Sequence, residues 1–224
     1  MSAEFEPELV AEDAGTPEFQ REKKRFLAYV ETFRVSDGTL PLPMRLKLQH
    51  TFEVCRFVER ICDGEGGVPE RDRSLFLTAG LFHDVSRFEQ YEKHKTFLDA
   101  ASFDHGDRSA ELLEEKGFLS ELPERERRCV VEAVRVHNKI AIPQDFPAEF
   151  LPAARMTRDA DKLAILCLLI RFFTGRCDDP TVRLDLPDTP EIRESVLSQA
   201  MRGSVRYTDL RNVNDFKLAI FGWA

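Results

Sequence analysis

The stretch Leu81-Phe82-His83-Asp84-Val85-Ser86-Arg87 sets a histidine and an aspartate side by side at the end of an apolar helical run. Further candidate ligands lie at helix-sized distances around it, His50 before, and His105, His137 and Asp161 after. Taken singly, none defines a site. A lone histidine on an apolar helix face is usually a core histidine satisfied by a carbonyl. A buried aspartate is rarer, because desolvating a carboxylate is costly unless it is paired or bound to metal. Four of the five histidines, with Asp84 and Asp161, fall on the apolar faces or at the ends of different helical segments. Convergence on one metal centre is the simplest account of them. Imidazole with carboxylate and no thiolate suits iron, manganese, zinc, cobalt or nickel. Six protein ligands are too many for one tetrahedral ion. Shared between two divalent ions with one carboxylate bridging, they leave positions open for water and substrate.

The elements that must position these residues read as helices throughout, so the expected fold class is all-α. Thr16-Pro17-Glu18 starts a helix whose apolar face is Phe19, Phe26, Leu27, Val30 and Phe33. A second runs from about Met44 to Cys62, with His50, Val54, Phe57 and Ile61 on one face, and Asp63 to Gly67 is expected to be a loop. Pro69 opens a third, ending near His83-Asp84, in which Gly80 would let another helix or a ligand approach closely. From Val85 to Asp104 the periodicity fails, and a long loop covering the site is expected. Helices then follow from His105 to Lys116, after Pro123 with Val130, Val134 and His137 aligned, and up to Phe173 with Asp161, Ile165, Leu168 and Phe172 on one face. Thr189-Pro190-Glu191 is expected to cap one more. The domain reading is an acidic tail over 1–18, a metal-binding helical core over 19–175, and a loop and helices over 176–224, with Phe216 to Trp223 apolar enough to pack back.

Composition sets limits on partners. The 224 residues carry 42% hydrophobic and 32% charged side chains, as an ordinary globular chain does. A net charge of −8 argues against a nucleic-acid polymer as partner, which needs a basic face, but not against a nucleotide, since a metal centre brings its own positive charge. Cys55, Cys62, Cys129, Cys167 and Cys177 form no C-x-x-C pair, and the first four sit in apolar helical patterns. With an odd count and no signal peptide, a cytoplasmic protein is expected. The apolar run Leu163 to Phe173 is too short for a membrane span, which needs roughly 20 residues. Exposed apolar residues near the carboxy terminus could serve a homodimer.

The order His50, then His83-Asp84, then Asp161 within Arg158-Asp159-Ala160-Asp161-Lys162-Leu163 resembles the HD superfamily of metal-dependent phosphohydrolases. The resemblance covers roughly Arg45 to Phe173 and implies an HD-like helical bundle with the metal site between helices. The added His105 and His137 are similar to its dinuclear branches, among them cyclic-dinucleotide phosphodiesterases and dinucleoside tetraphosphate hydrolases. It implies one ion on His50, His83, Asp84 and Asp161, and a second on Asp84, His105 and His137. Arg87 stands where many members carry a lysine, and a guanidinium there would bind a phosphoryl oxygen. The implied reaction is hydrolysis of a small phosphoester, a nucleotide or related metabolite, by a metal-bound hydroxide, with Asp84 and Arg87 as catalytic residues. The chain lacks the Gly-Tyr-Pro signature of the cyclic-dinucleotide branch. Asp159 competes for the role of Asp161, Asp104 is a possible partner of His105, and His94 or Lys95 is a possible leaving-group acid. A di-iron oxygenase and a non-catalytic regulatory module stand as alternatives on the same ligands.

Overall fold

Thr16 opens the first helix, its hydroxyl accepting the Phe19 amide proton while Pro17 occupies the first turn. The computed structural model describes residues 16–175 and 186–221. In chain order the helices are α1 (Pro17–Glu31), α2 (Leu42–Glu65), α3 (Glu70–Phe82), α4 (Ser86–His94), α5 (His105–Glu115), α6 (Glu124–Val136), α7 (Leu151–Phe173), α8 (Glu194–Ala200) and α9 (Val213–Phe221). Single 3₁₀ turns occupy Asp99–Ala101, Ala148–Phe150 and Tyr207–Asp209. No strand occurs among the described residues, so the all-α expectation holds. Among them, too, no helix is long and apolar enough to cross a membrane. The acidic stretch up to residue 15, Cys177 and Trp223 lie outside the described residues.

The chain divides into two compact units, the first ending at Ile165 and the second beginning at Leu166. In the first, α3 packs against α1, α2 and α6. Its last six residues, Leu77 to Phe82, are all buried, as an element enclosed by neighbours requires. Gly80 is one reason α2 comes so close, since a Cβ there would stand 3.3 Å from Val58 Cγ2 and 3.4 Å from Val54 Cγ1. Phe26 of α1 sits edge-on to Phe52, Phe82 and Phe88 at centroid distances of 6.4, 5.8 and 6.0 Å. Burial of each such ring contributes about 1.5–3 kcal/mol. Phe82, one of these rings, immediately precedes His83 in the chain. Cys55, Cys62 and Cys129 are buried and free, and burial pushes the Cys55 thiol up to about 12, so they act as small hydrophobes.

Three boundaries differ from the sequence reading. The segment after Val85 is not a loop throughout, because α4 occupies Ser86–His94 and ends at Lys95 in the left-handed region, φ 55°. Its buried side is Ser86, Phe88, Glu89 and Gln90, so polar residues bonded to neighbours break the apolar periodicity that would reveal it. Helix α2 continues through Asp63, Gly64 and Glu65, and the turn falls at Gly66 and Gly67, both at positive φ. In the second unit, Thr189-Pro190-Glu191 does not open a helix. The Thr189 and Glu191 carbonyls accept from the side chains of Asn214 and Asn212, and α8 starts only at Glu194.

Candidate metal centre

Each predicted ligand sits where a helix delivers it. His50 lies in the middle of α2, one turn beyond Lys47. His83 and Asp84 leave the end of α3, His105 is the first residue of α5, His137 follows the last residue of α6, and Asp161 lies within α7. All six come together. His83 is fully buried, and His50, Asp84, His105 and His137 are buried as well. Asp161 keeps 16% of its side chain exposed, whereas Asp159, its competitor, faces solvent.

The carboxylate of Asp84 faces two ways. Its Oδ2 lies 3.5 Å from His83 Nε2 and 3.8 Å from His50 Nε2, while its Oδ1 lies 3.6 Å from His105 Nε2 and 3.8 Å from His137 Nε2. Asp161 Oδ1 completes the first side, 2.9 Å from His50 Nε2 and 3.7 Å from His83 Nε2. Two sets have donor atoms all within 4.8 Å of one another, His50, His83 and Asp161 on one side and His83, Asp84 and His137 on the other. His105 belongs to neither tight set and reaches the cluster through Asp84.

The ring orientations have local causes. His83 donates from Nδ1 to the Gly80 carbonyl, and His137 from Nδ1 to Val134, each at 2.7 Å. His105 donates from Nδ1 to Asp99 Oδ2 at 2.5 Å. With Nδ1 committed, the Nε2 lone pairs turn inward, as metal-ligating imidazoles do. Gly106 allows α5 to meet α6, since a Cβ there would stand 2.8 Å from the Arg135 carbonyl oxygen and 2.4 Å from Asn138 Oδ1. Arg158 of α7 donates from Nη1 to the carbonyls of Val136, His137 and Lys139, pinning the turn that carries His137.

The electrostatics suit a cation. Burial alone would push the Asp84 carboxyl up, but Lys47, His83 and Arg87 hold it well below the usual range. Asp161 is likewise lowered, against its own burial, by His50, His83 and His137. Burial lowers His50, lowers His105 with help from the Arg87 charge, and lowers His137 to about 3, so these rings are neutral and able to ligate. His83 is the exception. Burial lowers it, yet Asp84 and Asp161 outweigh that and raise it, drawing positive charge inward. The Lys47 ammonium, 2.8 Å from Asp84 Oδ2, answers the same demand. Ionised carboxylates, inward-facing neutral imidazoles and a carboxylate with one oxygen toward each group of histidines fit divalent ions.

Arg87 is 11% exposed and linked to Asp99 at 2.8 Å. Its Nη1 also donates to Gln90 Oε1 and the Phe97 carbonyl, while its buried Nε, 3.4 Å from Asp84 Oδ1, has no hydrogen-bond partner. Asp104 does not orient His105. It caps α5 by accepting the Gly106 and Asp107 amides, and Asp99 takes the role expected of it. His94 is exposed with its ring against Phe103, and Lys95 lies over the Tyr91 ring, so neither joins the cluster. Lys47 and Asp99 were missed. Lys47 carries a usable signal, three residues before His50 and so on the same helix side. Asp99 carries none beyond its place in an aromatic and charged segment.

The sequence model of the HD domain matches residues 48–166, just over half of the chain and a span that includes all six candidate ligands. The chain belongs to the HD domain family. Domains of this family bind divalent metals and are typically metal-dependent phosphohydrolases. No curated protein and no solved structure matches it significantly.

Proposed function

We propose that the protein is a metal-dependent phosphohydrolase acting on the phosphoester of a nucleotide or a related small phosphorylated metabolite. The observation that carries this reading is the Asp84 carboxylate, with one oxygen toward His50 and His83 and the other toward His105 and His137, and the Arg87 guanidinium beside it. His50, His83, Asp84 and Asp161 would hold one divalent ion, and Asp84, His105 and His137 the second. Bound there, such ions supply Lewis acidity, lowering the pKa of water and neutralising phosphoryl charge.

The chain's own residues supply the rest. Asp84 spaces the two ligand sets and stays ionised at neutral pH, as a shared ligand must. Arg87 is held by three acceptors on Nη1, which fixes the plane of its guanidinium. Its Nε lies buried beside Asp84 Oδ1 at 3.4 Å, and Nη2, to which none of these bonds runs, is the donor proposed to meet a phosphoryl oxygen. Lys47 adds a second cation on the Oδ2 side. Burial of the cluster strengthens each of these interactions relative to water.

Elemental analysis of the purified protein, with a manganese-supplemented screen of phosphomonoesters, cyclic nucleotides and dinucleoside polyphosphates, tests the reading. Turnover that His83→Ala and Asp84→Ala abolish along with bound metal is expected. Metal content and turnover that survive both substitutions would sink it. Two irons with oxygen-dependent turnover and no hydrolysis would replace it with the oxygenase reading.

A further inference from the structure

Asp99 touches both halves of the proposed machinery. Its Oδ2 accepts from His105 Nδ1 at 2.5 Å, and its Oδ1 accepts from Arg87 Nη1 at 2.8 Å and Gln90 Nε2 at 3.1 Å. Gln90 is fully buried and fixed in turn by Ser102, whose hydroxyl accepts from it at 2.6 Å. Asp99 itself is on the 3₁₀ turn Asp99–Ala101, in the segment that sequence periodicity leaves blank.

Resting on the phosphohydrolase reading, we propose that Asp99 is a positioning residue that couples His105, a ligand on the second-ion side, to Arg87, the phosphate-binding cation. The argument is one of acceptor count. An ionised carboxylate has two oxygens and only accepts, so it holds the His105 ring as the Nδ1–H tautomer and the Arg87 guanidinium at the same time. With the proton on Nδ1, His105 Nε2 is free for an ion. In Asp99→Asn one of the two oxygens becomes an NH₂ donor. If the amide oxygen keeps Arg87, the amide nitrogen faces His105 and favours the Nε2–H tautomer, which cannot ligate. If the oxygen keeps His105, a donor faces Arg87 Nη1 and pushes the guanidinium out of place. The ion side and the phosphate side therefore cannot both survive the substitution.

The full-length protein, stripped of metal, is titrated with manganese and then, at saturating manganese, with inorganic phosphate by calorimetry. D99N is expected to weaken one ion-binding event by about 10–100-fold, the usual effect of losing a group that orients a ligand. Alternatively it leaves ion binding intact and weakens phosphate by about tenfold, seen in turnover as a raised KM. In an H105A background the D99N effect on ion binding should vanish, because the two residues act in series. Manganese and phosphate isotherms of D99N that superimpose on those of the wild type would overturn the proposal. So would an equal loss of ion affinity with and without His105. Should D99N not fold, ¹⁵N resonances of the wild-type histidines decide instead, since an Nε2–H tautomer at His105 contradicts the proposal. A wild type that binds manganese yet turns over no phosphoester removes the hydrolase reading while leaving the manganese test of Asp99 intact.

Discussion

Gly106→Ala is the substitution whose consequence the structure fixes most tightly. The added Cβ would stand 2.4 Å from Asn138 Oδ1 and 2.8 Å from the Arg135 carbonyl oxygen. The Asn138 amide can rotate, at the cost of its bond to Asp104. The Arg135 carbonyl cannot, because it belongs to the last turn of α6, whose end Arg158 holds in place. The first turn of α5 must therefore retreat from α6 by roughly half an ångström or more to reach ordinary contact. Overpacking of this kind costs about 1–3 kcal/mol, which lowers Tm by roughly 2–12 °C in a chain of this size. The retreat also moves His105, the residue just before the glycine, away from Asp84 and His137. The affinity for one ion should fall by about tenfold or more, while the His50, His83 and Asp161 side is left intact. Thermal unfolding with chelator and with manganese, beside a manganese isotherm, reads both effects. A G106A protein with wild-type Tm and both ion affinities unchanged would refute the claim that the α5–α6 approach builds the second side.

Lys47→Met leaves Asp84 without its closest cation, and the chelator-treated protein should lose at most about 3 kcal/mol, the low end for a broken buried pair given the partial exposure of Lys47. Manganese should recover most of that loss, so its stabilising effect, measured as a Tm shift, will exceed that in the wild type; equal shifts would show that Lys47 and the ion do not share Asp84. Metal-free protein should also lose stability below about pH 6.5. His137 is lowered to about 3 in the fold, so between these values the unfolded chain binds the extra proton, and by pH 5 this one ring costs roughly 2 kcal/mol. His50 and His105, lowered too, act in the same sense, whereas the raised His83 contributes stability at low pH that is lost as pH rises. Denaturant unfolding of chelated protein from pH 5 to 8 measures the sum, and a stability independent of pH there would contradict the burial of neutral imidazoles.

What sequence could deliver was the part of the site written in helix periodicity. His50, His83, His105, His137 and Asp161 were legible because each shares a face or an end with core residues, so burying the helix buries the ligand. The same logic hid α4, whose inward side holds Ser86, Glu89 and Gln90 and so reads as solvated. Lys47 shares a helix side with His50, but that signal was outweighed by its chemistry, since a lysine on a helix is ordinarily at the surface and here the carboxylate of Asp84 draws it in. Asp99 and Asp104 could not be ranked from sequence. Asp104 adjoins His105 yet spends Oδ1 on the α5 amides and Oδ2 on Lys139, while Asp99 reaches the ring from six residues away through a turn.

The division of labour around Asp84 follows from where α3 ends. A helix enclosed on three sides by α1, α2 and α6 must release its chain inside the protein, and the first residues released are His83 and Asp84. At that point a carboxylate can survive only among cations, and the chain supplies Lys47 from α2 and Arg87 from α4. Those two reach opposite oxygens of Asp84, as do the two groups of histidines. The asymmetry between the sides is in how each cation is held. Lys47 is a flexible ammonium in a single bond to the carboxylate, easily given up to an entering ion. Arg87 is held by Gln90, Phe97 and Asp99, three acceptors that do not depend on Asp84. Under the proposed reading, Lys47 is the cation an entering ion would displace, and Arg87 the one expected to keep its place for phosphate.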